Sequence, residues 1–146
     1  MMRRRSSLIG AVAVMALVLA FVPGTAGAAS AQPDGLWTTA DMPTNVAADG
    51  QDGRVNDPTS YDLGVRFETD KPIYVVGVRF YQHYEGAYTA TLWNADGAAL
   101  ATAVDATVGT GWQTAMFAAP VLVNPAAVFT ASYRAPQGRY AYDYDA

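Results

Sequence analysis

The chain has 146 residues, no cysteine, nine Lys and Arg against thirteen Asp and Glu, and a formal net charge of −4. An acidic balance of this kind repels nucleic acid and anionic lipid, so neither is an expected partner. With no cysteine, an extracellular fold would have to stand on its core alone, without the disulfides that smaller secreted domains use.

The chain opens Met1-Met2-Arg3-Arg4-Arg5, continues as an apolar run from Leu8 to Val22, and reaches a small-residue tract from Thr25 to Ala31. A basic head, a short apolar middle and an Ala-x-Ala end are the parts of a secretory leader. Cleavage is expected after Ala28 or after Ala31. The second is preferred because it leaves the polar start Gln32-Pro33-Asp34. Loss of residues 1–31 takes away three basic residues and no acid, leaving six basic against thirteen acidic residues, a net charge of −7. The remainder, about 115 residues, is enough for one domain and too little for two.

From Gln32 to about Thr59 the chain is a loop-rich lead-in of Asp, Gly, Pro, Thr and Asn, with Leu36-Trp37-Thr38 as a short candidate strand. Asp49, Asp52 and Asp57 lie in this lead-in and supply oxygen ligands of the kind calcium takes. Their spacing is not that of an EF-hand loop, and Asp is also simply common in turns.

From Ser60 to Tyr81 run two alternating stretches joined at Lys71-Pro72. The first sets Tyr61, Leu63, Val65 and Phe67 against Asp62, Gly64, Arg66 and Glu68, the period of a half-buried strand. The second sets Tyr74, Val76, Val78 and Phe80 against Ile73, Val75, Gly77, Arg79 and Tyr81. Tyr88 to Trp93 alternates again, and Asn94-Ala95-Asp96-Gly97 predicts a hairpin turn, because Gly accepts the positive φ that tight turns need. A weaker strand follows from Ala98 to Ala106, then one from Trp112 to Phe117 that Pro120 should end. Val121 to Val123, Val128 to Arg134 and the Tyr140 region complete the series. Short strands, regular turn residues and no helical period after the leader predict an all-β, antiparallel sandwich of jelly-roll or immunoglobulin-like type.

At this level of detail the chain resembles a known family, the domain of unknown function numbered four thousand and eighty-two. The resemblance is carried by Val55-Asn56-Asp57 with Tyr61 to Phe67, Gly77 to Tyr81, Leu92-Trp93 with Gly97, Gly111-Trp112-Gln113 with Phe117, and Ser132 to Ala141, in the family's order over roughly residues 36–142. It implies a secreted bacterial β domain of the kind found beside immunoglobulin-like and carbohydrate-active modules. The resemblance implies a domain that continues beyond the Ala135-Pro136-Gln137-Gly138 motif to a final strand, whereas this chain ends at Ala146, which is expected to mean either a truncated domain or an unpaired sheet edge.

Four outward-facing residues form the candidate ligand site: Arg66, Arg79, Tyr81 and Trp93. If their strands are neighbours, they combine aromatic platforms with guanidinium donors, which suits a sugar's apolar ring face and its directional hydroxyls. The competing account is packing, with Arg66 paired to Glu68 or Asp62. Tyr133, Tyr140, Tyr142 and Tyr144 mark a second feature, readable as an edge strand or as a self-associating one that adds to a partner's sheet. Catalysis is not expected. The only histidine, His83, lies in a turn without a motif, and neither Gly-x-Ser-x-Gly nor His-Glu-x-x-His occurs. The sequence thus predicts a secreted, non-catalytic module that binds extracellular glycan. The alternative is an adhesion domain that joins a cell-surface protein through an open sheet edge. No cofactor is expected beyond calcium at the acidic loop.

Overall fold

A computed structural model of the chain describes residues 2–4, 16–21, 43, 45–47, 59–82, 84–105 and 109–142. Among these residues ten strands run in chain order: β1 (Met2–Arg4), β2 (Ala16–Phe21), β3 (Asn45–Ala47), β4 (Tyr61–Thr69), β5 (Ile73–Gln82), β6 (Tyr88–Trp93), β7 (Ala99–Asp105), β8 (Gly111–Val123), β9 (Phe129–Ala135) and β10 (Tyr140–Tyr142). They form a five-stranded sheet in the order β1-β4-β9-β6-β7, a three-stranded sheet in the order β2-β5-β8, and the ribbon β10-β3, all antiparallel. The architecture is the expected antiparallel sandwich. β3 lies in the lead-in read as loop. Three residues are too few to show a period, and the strand exists through its pairing with β10, far away in sequence. Leu36-Trp37-Thr38 lies outside the described residues.

Sequence-adjacent strands usually pair, but β4 and β5 do not. Thr69 and Ile73 are both buried, and the Asp70-Lys71-Pro72 link between them carries the chain from one sheet across to the other. Pro72, which has no N–H, stands where a hairpin would need a ladder donor. The two strands therefore oppose their apolar faces across the core instead of sharing a surface.

The inward face of β5 also departs from simple alternation. Ile73 and Val75 before the middle of the strand and Val78, Phe80 and Gln82 after it are buried, with Gly77 between them, while Tyr74 and Val76 are only half-buried. The cause is a register shift between Val75 and Gly77, where Val76 is the extra residue and the strand changes phase. Opposite it, β8 continues as one strand from Gly111 to Val123, yet its pairing with β5 lapses between Met116 and Val121, around Pro120. Proline thus interrupts the ladder as expected without ending the strand.

Between the sheets lies an aromatic core. Phe80 of β5 stacks on Tyr133 of β9 at 4.9 Å between ring centroids and on Tyr88 of β6 at 5.6 Å. Across β6 and β9 the large Tyr133 is paired with the small Ala90, so each ring fills the space its neighbour leaves. Phe67 and Phe129, opposite each other on β4 and β9, extend the core towards the Thr69 end.

Burial pushes the Tyr133 hydroxyl far above the usual tyrosine range, and Tyr88 and Tyr140 nearby add to the effect. Tyr88 is raised as well, mainly by burial and against the pull of Arg139. Both groups are neutral in the fold, so their contribution to stability is complete below the unfolded-chain value of about 10. Above it the unfolded chain ionises and the folded one does not, so stability falls as pH rises through the raised folded values. Thermal midpoints should therefore hold level to about pH 9.5 and then drop. Tyr133→Phe should flatten the drop, whereas an equal slope in wild type and variant would show that Tyr133 ionises freely in the fold.

Candidate functional site

On the outer face of the five-stranded sheet the registers line up three rows of side chains. Asp62, Arg134, Thr89 and Val104 make the first row. Gly64, Ser132, Thr91 and Thr102 make the second, and Arg66, Thr130 and Trp93 the third. The middle row is small and polar, and its Thr91 and Thr102 hydroxyls share a hydrogen bond of 3.3 Å. An open groove of about 720 Å³ runs along β9, between β4 and β6. Val128, Thr130 and Ser132 of the β9 segment line it together with Gly64, while Asp62 and Arg66 stand on the β4 side and Trp93 and Asn94 on the β6 side.

Each part is held by local chemistry. Trp93 Nε1 donates to Ser132 Oγ at 2.8 Å, which ties the indole across to β9 and satisfies a hydroxyl that is otherwise buried. Gly64 is needed because β4 and β9 approach closely there: a Cβ on Gly64 would lie 2.5 Å from the Ala131 carbonyl oxygen. Behind Trp93, Asn94 Oδ1 accepts from the backbone N–H of Asp96 at 3.1 Å and of Ala98 at 2.8 Å, and Gly97 takes φ +79°. The expected Asp-Gly hairpin is therefore present, with the Asn94 side chain closing it from within. Asp62 accepts from Arg134 Nη1 at 2.8 Å. Both side chains are more than half exposed, so the pair contributes under about 1 kcal/mol and serves mainly to set the orientation of the two groups.

The four expected site residues are not one patch. Arg66 and Trp93 share this face, in the same row on either side of Thr130. Arg79 and Tyr81 lie on β5, in the other sheet, because the Asp70-Lys71-Pro72 link crosses the sandwich. There they pack against Trp112. The Arg79 guanidinium sits 4.7 Å from the Trp112 ring centroid, and Tyr81 meets the same ring edge-on at 5.8 Å. That contact occupies the guanidinium and one indole face together.

Arg66 has a different standing. Of the two carboxylates expected to compete for it, Asp62 is taken by Arg134, and Arg66 makes no hydrogen bond or ion pair with Glu68 or with any other of the described residues. Asp62, Gly64, Thr130, Ser132 and Arg134 were missed as site residues. Their signal was present as the polar half of two alternating strands, Asp62-x-Gly64-x-Arg66 and Thr130-x-Ser132-x-Arg134, whose pairing only the fold reveals.

Asp49, Asp52 and Asp57 lie outside the described residues, as do His83 and Tyr144. Among the described residues no three His, Cys, Asp or Glu side chains converge as a metal site would require. The C-terminal tyrosines divide: Tyr133 is in the core, Tyr140 meets Tyr61 edge-on at 6.1 Å, and Tyr142 ends β10 beside β3.

Neither the curated proteins nor the solved structures hold a significant match to this chain. A protein-family profile described as a domain of unknown function (DUF4082) matches residues 47–146, which takes in β4 to β10 and every residue of the groove. With most of its length and its whole sandwich core covered by that match, the chain belongs to the DUF4082 family.

Proposed function

We propose that this domain is exported, carries no catalytic activity, and binds extracellular carbohydrate in the groove on the outer face of the five-stranded sheet. The observation that carries the reading is the pairing of Trp93 with Arg66 across a small, polar floor. The indole is fixed by its bond to Ser132, and the Arg66 guanidinium on the far side of β9 is uncommitted among the described residues. A sugar has an apolar ring face that packs on an aromatic surface and a rim of hydroxyls that take directional hydrogen bonds. The groove supplies both within one open trough, with Thr130 and Asp62 as further partners. Because the indole is already oriented, little side-chain entropy is lost when a ligand stacks on it.

The test is retention of the full-length exported protein on a panel of soluble polysaccharides, followed by calorimetry on any that retain it. Trp93→Ala should weaken binding at least tenfold, about 1.4 kcal/mol. Arg79→Ala, on the opposite sheet, should leave it unchanged. A wild type that no polysaccharide retards, or binding that is indifferent to Trp93→Ala, would rule the groove out as a glycan site.

A further inference from the structure

We propose that β2, part of residues 1–31, holds the open edge of β5 as a temporary strand, and that once residues 1–31 are removed this edge is filled by the β5 edge of a second copy of the chain. The inference rests on the export part of that reading, is independent of its glycan part, and concerns a different face of the molecule.

In the full chain β2 lies antiparallel along β5, with six paired residues from Ala16↔Phe80 to Phe21↔Tyr74. It follows the irregularity at Val76 through its own register shift between Leu19 and Ala20. The edge is therefore able to take a complete strand. Yet β2 is drawn from the apolar run that reads as the middle of a secretory leader, the part of the chain that export removes. Its loss uncovers one side of a ten-residue strand whose Val75, Val78 and Phe80 are fully buried in the core.

Sheet edges that stay open are guarded by charge, proline or short length. β4, which loses only the three-residue β1, carries Asp62, Arg66 and Glu68. β5 carries one charge, Arg79, and no proline from Ile73 to Gln82. The vacated β5 edge is thus long and largely apolar, guarded only by Arg79 and the bulge at Val76, and β2 shows that a partner strand can follow that bulge, which marks the edge as a pairing surface.

The geometry favours a second copy. A two-fold axis sets a strand antiparallel to its mate, the direction in which β5 already accepts β2. A register centred on Val78 places Val78 against Val78, just as it pairs with Val18 in the full chain. The same register sets Arg79 of each copy opposite Gly77 of the other, so like charges do not meet. The product is a continuous sheet, β8-β5 of one copy joined to β5-β8 of its partner.

The experiment expresses the full chain in a secreting bacterial host. It determines the N-terminus of the exported protein by intact mass and its assembly state by sedimentation. The expected result is a chain that starts after Ala28 or Ala31 and sediments as a dimer. A lysine-flanked peptide carrying Ala16 to Phe21 should then halve the sedimenting mass, apart from the bound peptide, and a peptide of shuffled order should not. An exported chain that is monomeric, one that retains residues 1–31, or a dimer that the peptide leaves intact would each overturn the proposal.

Discussion

Phe80→Ala is expected to lower the stability of the domain by about 3–5 kcal/mol, the usual range for emptying a buried aromatic site. Phe80 is 0% exposed and is the ring on which the two sheets meet, stacked on Tyr133 and Tyr88 from the opposite side of the core. The space left behind cannot close easily. Tyr133 and Tyr88 sit on β9 and β6, which are fixed to each other and to their outer neighbours by antiparallel ladders, so neither can move inward alone. Against a total of about 5–15 kcal/mol for an ordinary domain, the loss is a large share of what keeps the chain folded. Urea unfolding measures it as a lower midpoint at unchanged slope. A fall below about 1 kcal/mol would mean that the three rings do not form the central contact between the sheets.

The second large effect is expected at Gly64, from adding a single carbon. In Gly64→Ala the new Cβ would stand 2.5 Å from the Ala131 carbonyl oxygen and 2.8 Å from Ser132 Cβ. The nearest of these is backbone in a neighbouring strand, so β4 and β9 must separate locally, at a cost of about 1–3 kcal/mol. The change has a second readout, because Ser132 also accepts the hydrogen bond that fixes Trp93. Indole fluorescence should shift along with the unfolding midpoint. Unchanged stability and unchanged fluorescence together would show that the close approach of β4 and β9 relaxes without consequence.

How far the fold could be read in advance depended on whether the governing interactions were local. The alternation of Tyr88, Ala90 and Leu92 against Thr89, Thr91 and Trp93 is an intrinsic property of one strand, and the structure places the first set inward as expected. The turn at Asn94 to Gly97 is equally local, since its bonds run within five residues. The phase of β5 was not legible, because a bulge at Val76 leaves no mark in a run that is apolar on both sides of it. β3 was missed for a related reason, as it depends on a partner nearly a hundred residues away. Of the four residues expected to face outward together, Arg66 and Trp93 do share one face and line the groove. The error over Arg79 and Tyr81 came from strand adjacency, which a three-residue link can give either as a hairpin or as a crossing. Ser132 and Gly64 escaped notice because their importance lies in what crosses over them and how near the next strand comes.

The turn behind Trp93 separates what must be conserved for folding from what is free to vary. Its closure uses the Asn94 side chain, the Asn94 backbone and the positive φ of Gly97, while Ala95 lends no side-chain bond to it and projects into the wall of the groove. A domain built this way can alter that wall by mutation at one small exposed position, or by lengthening the turn between its two fixed ends, without disturbing any rung of the sheet. On the proposed glycan reading, selection among related chains then has a ready route to new ligand preferences, and the place to look for divergence within the family is Ala95 and its immediate neighbours rather than the strands beneath.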